Sequence, residues 1–217
     1  MFKMIKLIIF DYDGVIVDSF SDNFEIYKKI FLELDTKIKP KNLDEFRKVY
    51  GATYKEMRKT VGIKEEDFDR VDEIYERELK KVQPKPFSKI KEVLAELSKK
   101  YKLVVVSANY SEHIKETLSA FGLLSFFDLI IGSTGSDLSS KSRLFLDALQ
   151  KFKIKPHETI SVGDREIDFI SSKQAGINNI VLAGYGWDGV EKLKRQNPEI
   201  IADSPEEILK AIKEIDK

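Results

Sequence analysis

The chain of 217 residues contains no cysteine, which removes a disulfide framework, a thiolate nucleophile and thiolate metal ligation together. Histidine is nearly absent as well: His113 and His157 read as a lone surface-helix residue and a lone loop residue, with no matching partner for an imidazole site. Net charge is lacking, since 37 basic residues face 37 acidic ones, so no overall field draws the chain to nucleic acid or to an anionic membrane. No apolar run approaches the roughly 18 residues of a membrane span. No signal-peptide pattern precedes the strand-like start Met1-Phe2-Lys3-Met4-Ile5, and the expected setting is soluble and cytoplasmic. Repeats and low-complexity tracts are missing too.

What is present is an alternation of helical and strand signals from Phe87 onward. Helices are expected at 88–100, 112–121, 141–152, 167–175 and 205–215, with strands at 103–106, 129–132, 159–162 and 179–183. Such alternation builds an α/β fold, a doubly wound parallel sheet covered by helices on both faces, and continuous apolar strands such as Leu103-Val104-Val105-Val106 suit that doubly buried position. Residues 17–83 read differently, as helices at 23–34, 43–49, 54–61 and 66–82 with no strand between them. The spacing predicts an α/β core over 1–16 and 84–217 with a small helical insert over 17–83, closed by the stiff connection Pro84-Lys85-Pro86.

The sharpest motif is Phe10-Asp11-Tyr12-Asp13-Gly14-Val15, directly after the apolar run Ile5 to Phe10. Side chains alternate along a strand, so Asp11 and Asp13 address one side, and Gly14 permits a sharp turn and offers an unhindered N–H to an oxyanion. Two converging carboxylates repel unless a cation or a shared proton lies between them. Apolar runs also lead into Ser107-Ala108-Asn109 and into Gly163-Asp164-Arg165-Glu166-Ile167-Asp168, and Lys141 opens a helical pattern. Asp164 and Asp168, at i and i+4, are expected to share a helix face and, opposite Asp11, to form a hard oxygen-rich site suited to magnesium. Arg165 reads as a salt-bridge partner. Ligands of an open parallel sheet gather beyond the carboxyl ends of its strands, where these motifs fall.

Taken in order, these four motifs resemble those of the haloacid dehalogenase superfamily, and Val162 to Glu166 with Ala183-Gly184-Tyr185-Gly186 looks most like its phosphoglycolate-phosphatase-like branch. The resemblance implies a magnesium-dependent phosphatase of small phosphorylated metabolites, with the insert as a helical cap. By resemblance, Asp11 is the nucleophile that forms an aspartyl-phosphate and Asp13 the general acid and base. Lys141 neutralises the transferring phosphoryl group. Gly14, Ser107, Ala108, Asn109 and Lys141 would contact phosphate. Asp11, Asp164 and the carbonyl of Asp13 would hold Mg2+ directly, with Asp168 acting through water. Two departures stand out: Ala108 intervenes before Asn109, and Ser139-Ser140-Lys141-Ser142 lacks the Lys-Pro of many relatives.

In the insert, Thr53, Lys55 and Arg58 lie on the segment Gly51 to Arg58, read as a turn into a helix, and are candidates to hold an anionic leaving group. Alternatives to the phosphatase are a phosphomutase sharing Asp11 and Asp13, or a non-catalytic phosphoryl-binding regulatory protein on the same fold. A monomer or homodimer without nucleic-acid or membrane partner is expected. Gly184-Tyr185-Gly186-Trp187-Asp188-Gly189 matches a dinucleotide fingerprint, but only 28 residues follow it, too few for such a domain.

Overall fold

The computed structural model describes residues 4–51, 53–133 and 141–217; the expectations that touch Met1-Phe2-Lys3, Ala52 and Ser139-Ser140 lie outside them. The chain divides into two compact units, Met1–Asp18 with Lys85–Lys217, and Ser19–Pro84.

The first unit is built on a six-stranded sheet. Its central strand β1 (Leu7–Phe10) is buried at every residue. On one side of β1 lie β4 (Lys102–Tyr110) and β5 (Leu129–Ser133), and on the other β6 (Thr159–Gly163), β7 (Asn179–Ala183) and β8 (Ile200–Ala202). Every pairing in this sheet is parallel. Parallel strands need crossover helices, and these cover both faces. Ile8 and Phe10 pack with side chains from α5 (Ile90–Leu97), α6 (Ser111–Ala120) and α10 (Pro205–Ile215). Leu7 and Ile9 point the opposite way, onto Phe145, Ala148 and Leu149 of α7 (Lys141–Phe152). The alternation of strand side chains thus divides four consecutive apolar residues between two cores.

Phe10 is level with Val105 of β4 and Val162 of β6. The chain therefore leaves β1, β4 and β6 at one edge, and because it winds outward to either side of β1, that edge is a topological switch point. A two-stranded antiparallel ladder, β2 (Val17–Asp18) with β3 (Lys85–Pro86), stands apart from the sheet. It turns the expected stiff proline connection into a paired one, with Val17 opposite Pro86.

The second unit contains α1 (Phe20–Glu33), α2 (Leu43–Val49), α3 (Tyr54–Thr60), a 3-10 turn at Glu65–Asp67 and α4 (Phe68–Leu79), with no strand among its described residues. Its interior is aromatic. Phe46, fully buried, has Phe20, Phe24, Tyr27, Phe31 and Tyr50 with ring centroids 5.0–6.4 Å away.

Four elements lie outside the sequence expectation: β2, which makes Val17–Asp18 a strand where a helical insert is expected, its partner β3, and β8 and α9 (Gly189–Leu193), the last running on into a 3-10 turn. All four are too short to show a period. The remaining helix of the first unit is α8 (Glu166–Gln174).

Ile8→Ala should cost about 2–5 kcal/mol, the usual range for truncating a fully buried aliphatic side chain. Leu32→Ala, at a residue 67% exposed, should stay within about 0.5 kcal/mol. Urea unfolding of both variants checks the pair, and equal losses would contradict the burial pattern.

Candidate active site

Three of the four motifs reach the sheet's carboxyl edge on strands of their own. Asp11 follows β1, and its N–H extends the ladder by one bond to Val162 O at 2.8 Å. Asp164 follows β6 and is completely buried. Asp168 sits in the first turn of α8, where its Oδ2 accepts the N–H groups of Asp164 at 3.0 Å and Arg165 at 2.9 Å. The helix begins only at Glu166, so Asp164 and Asp168 do not share a helix face as expected. The capping carboxylate folds the preceding loop back onto the helix start and brings the two together.

Lys141, the first residue of α7, joins these pieces. Its ammonium lies 2.7 Å from Asp11 Oδ2 and 2.5 Å from Asp168 Oδ1. Asp11, Asp164 and Asp168 each offer an oxygen within 4.8 Å of the others'. This buried triad is consistent with a divalent metal site, and the donor set is hard oxygen throughout. Asp164 Oδ1 is buried with no hydrogen-bond partner among the described residues, an arrangement that a cation would relieve.

Electrostatics follow from burial. Loss of solvent pushes Asp11 up to about 7; Lys141 opposes the shift while Asp168 and Asp13 add to it. Asp164 is raised well above the carboxylate range by burial first and then by Asp168 and Asp11. Burial alone would lower Lys141, yet Asp11 and Asp168 outweigh it and hold the ammonium firmly charged.

On the β4 side, Ser107, Ala108 and Asn109 belong to the strand itself, across a register irregularity between Val106 and Tyr110. Ser107 Oγ accepts the Asn109 N–H at 3.0 Å, and Asn109 Nδ2 donates to Asp13 Oδ2 at 3.1 Å. With Ala108 inserted, Asn109 is turned toward Asp13.

Gly14 makes the sharp turn expected of it but is not a free N–H donor. Its N–H is bound to Val17 O at 2.9 Å, so it is already committed within the turn. Its φ of +77° lies in the left-handed region, and a Cβ there would collide with the Asp164 carboxylate.

A family model described as haloacid dehalogenase-like hydrolase matches residues 8–182. The chain belongs to the haloacid dehalogenase-like hydrolases. It is 29% identical to a phosphoglycolate phosphatase of Aquifex aeolicus over 94% of this chain and 95% of that one. To a pyrophosphatase PpaX of Halalkalibacterium halodurans it is 26% identical, over 94% and 95%. A predicted phosphatase of Clostridium acetobutylicum, known from its crystal structure, superposes with a TM-score of 0.87 at 26% identity, covering 97% of this chain and 99% of that one.

For this haloacid dehalogenase-like hydrolase, the structure gathers Asp11, Lys141, Asp164 and Asp168 into one site, with Asp13 joined to Asn109 beside it. Thr53, Lys55 and Arg58 belong to the helical unit and are engaged within it. Thr53 caps α3, accepting the Glu56 N–H at 3.2 Å. Lys55 pairs with Glu65 at 3.5 Å. Arg58, expected to face a ligand, is buried, paired with Asp72 and 5.1 Å from the Phe68 ring centroid, because a buried guanidinium requires a counterion. Arg165 forms a salt bridge to Asp188 at 3.8 Å, as its sequence reading holds. Among the described residues no helix is long and apolar enough to cross a membrane.

Sequence reasoning missed two contributors. His113 is half-buried on α6, lowered by burial with the Asp13 charge opposing, so it is not the simple surface residue expected. Trp187, from the discarded glycine motif, donates its N–H to Asp164 Oδ2 at 2.6 Å.

In the folded chain Asp11 keeps its proton up to about pH 7, against an ordinary value of 3.8. The native state therefore binds more protons than the unfolded one across that interval, and its stability falls as pH rises. Metal-free protein should unfold at a lower temperature at pH 8 than at pH 5, and added Mg2+ should raise the midpoint more at pH 8. Thermal denaturation in chelator and in Mg2+ measures both; midpoints insensitive to pH and metal would contradict the picture.

Proposed function

We propose that the protein is a magnesium-dependent phosphatase of small phosphomonoesters, working through an aspartyl-phosphate. The observation that carries the reading is the buried convergence of Asp11, Asp164 and Asp168, with Lys141 paired to Asp11 and Asp168. A bound Mg2+ would supply charge neutralisation for the phosphoryl group and for the carboxylates around it. The residues that would hold it are Asp11, Asp164 and the Asp13 carbonyl. Asp168 fits an indirect role, since its Oδ2 already accepts two backbone amides and its Oδ1 faces Lys141.

In this reading Asp11 attacks phosphorus while Asp13 protonates the departing oxygen, and the bond from phosphorus to the leaving group breaks. Asp13 then takes a proton from the water that cleaves the aspartyl-phosphate, returning Asp11. Asn109 orients Asp13 through its side-chain amide. Lys141 offsets negative charge on the transferring group, and the Ser107 hydroxyl with the Ala108 N–H receives its oxygens, while the Asn109 N–H holds Ser107 Oγ in place.

Phosphoglycolate is the favoured substrate, on the Aquifex relative's name and the resemblance of the motifs. Pyrophosphate is the second reading, favoured by a relative of similar coverage named for it. A phosphomutase would share the first half-reaction and return the phosphate to an isomer.

Assay of phosphate release from phosphoglycolate, pyrophosphate and other phosphorylated metabolites, with and without Mg2+, tests the reading. Metal-dependent turnover of at least one is expected, and none would overturn it. Asp11→Asn should lower turnover about 10⁴-fold or more. Phosphate trapped on any residue other than Asp11 would refute the nucleophile.

Recognition of the leaving group by Thr53, Lys55 and Arg58 is the finer part of the proposal; Arg58 is buried in its pair with Asp72, whereas Lys55 pairs with Glu65 at the exposed surface and is the residue to test. Lys55→Ala should raise KM for phosphoglycolate several-fold and leave hydrolysis of an uncharged aryl phosphate unchanged. Equal effects on both substrates, or none, would remove this segment from substrate binding.

A further inference from the structure

The segment Gly186-Trp187-Asp188, lying after β7 and before α9, is hydrogen-bonded to the chain after β6 at two points. Trp187, itself buried, donates its N–H to Asp164 Oδ2 at 2.6 Å. That bond leaves Oδ1 buried with no hydrogen-bond partner among the described residues. Gly186 leaves the room the arrangement requires: a Cβ there would collide with the Asp164 side chain and stand 2.6 Å from Gly14 O. Gly14, whose own missing Cβ would meet Trp187 Cδ1 at 2.8 Å, closes the other side of the same carboxylate.

Asp188 completes the attachment. Its side chain is only 6% exposed, Oδ2 accepts the Glu166 N–H at 2.9 Å, and Oδ1 pairs with Lys192 at 2.8 Å and Arg165 at 3.8 Å. Three consecutive N–H groups, those of Asp164, Arg165 and Glu166, are therefore held by two carboxylates, Asp168 taking the first two and Asp188 the third. The loop that presents Asp164 is fixed from the α8 side and from the α9 side.

We infer that Gly186-Trp187-Asp188 is a positioning clamp for the metal site, in which the Trp187 amide sets the orientation of the Asp164 carboxylate and Asp188 locks the loop that carries it. Asp188 acts through the Glu166 amide and touches no reacting atom. The inference rests on the metal reading of the Asp11, Asp164 and Asp168 triad.

Titration with Mn2+ alone, followed by electron paramagnetic resonance of the free ion, separates the two. The unaltered protein should bind Mn2+. Gly186→Ala and Asp188→Ala should each weaken binding by about tenfold or more, the usual scale for groups that orient metal ligands. Asp188→Asn keeps a carbonyl oxygen for the Glu166 N–H and should restore affinity to within about threefold. Thermal midpoints in chelator show which variants fold; should Gly186→Ala not fold, the two Asp188 variants decide. Wild-type affinity in folded Asp188→Ala, or equal weakening in the Asn and Ala variants, would overturn the clamp alone. An unaltered protein that binds no Mn2+ would overturn the metal reading and the clamp with it.

Discussion

Three buried carboxylates, two of them paired with one lysine, set the terms for the rest of this molecule. Ionising all three would set like charges about 5 Å apart, about 3 kcal/mol of repulsion per pair at an effective dielectric of about 20, and burial adds to that cost, so Asp11 and Asp164 are held toward their protonated forms. Lys141 serves Asp11 and Asp168, so Asp164 is the charge left least compensated. Its strongly raised pKa and its unpartnered Oδ1 are two expressions of that imbalance. Much of the surrounding architecture keeps this tension in place: a rigid central strand ending at Asp11, a helix start at Lys141, and a carboxylate cap that draws Asp164 toward Asp168.

The sheet was legible because fully buried strands leave continuous apolar runs. Leu103 to Val106 and Asn179 to Ala183 announced themselves by composition, and the helices at Leu43–Val49, Lys141–Phe152 and Pro205–Ile215 began and ended where their periodicity did. Short elements escaped. Ile200-Ile201-Ala202 forms an edge strand only because β7 is there to pair with, and a three-residue window carries no period of its own.

At the site, residue identity was readable and geometry was not. Asp11, Lys141, Asp164 and Asp168 were all found from motifs, but the helix boundary at Glu166 altered how the last two meet. Gly14 was read for a sharp turn and a free N–H; the turn is there, but the N–H is committed and the missing Cβ makes room for Asp164. The pattern 184–189 was set aside because it matched a familiar motif in the wrong place, whereas its use depends on a contact with Asp164, some twenty residues earlier in the chain. Such a backbone donor leaves no trace in side-chain chemistry. Arg58 shows the converse: a basic residue near a helix start suggests a ligand until burial supplies Asp72 as its partner.

The antiparallel ladder of Val17–Asp18 with Lys85–Pro86 makes the entry and exit of the helical unit neighbours. Everything between them is then a closed excursion from a doorway whose width the first unit fixes. Closure entropy grows only slowly with length, about 0.6 kcal/mol for each doubling, so the fold of the core is nearly indifferent to how large that excursion is. A chain built this way can exchange the whole of Ser19–Pro84 for a shorter link or a bulkier module while retaining the strands that carry Asp11 and Asp164. The ladder that brings the two ends of the excursion together lies wholly within the first unit, the one that carries Asp11 and Asp164.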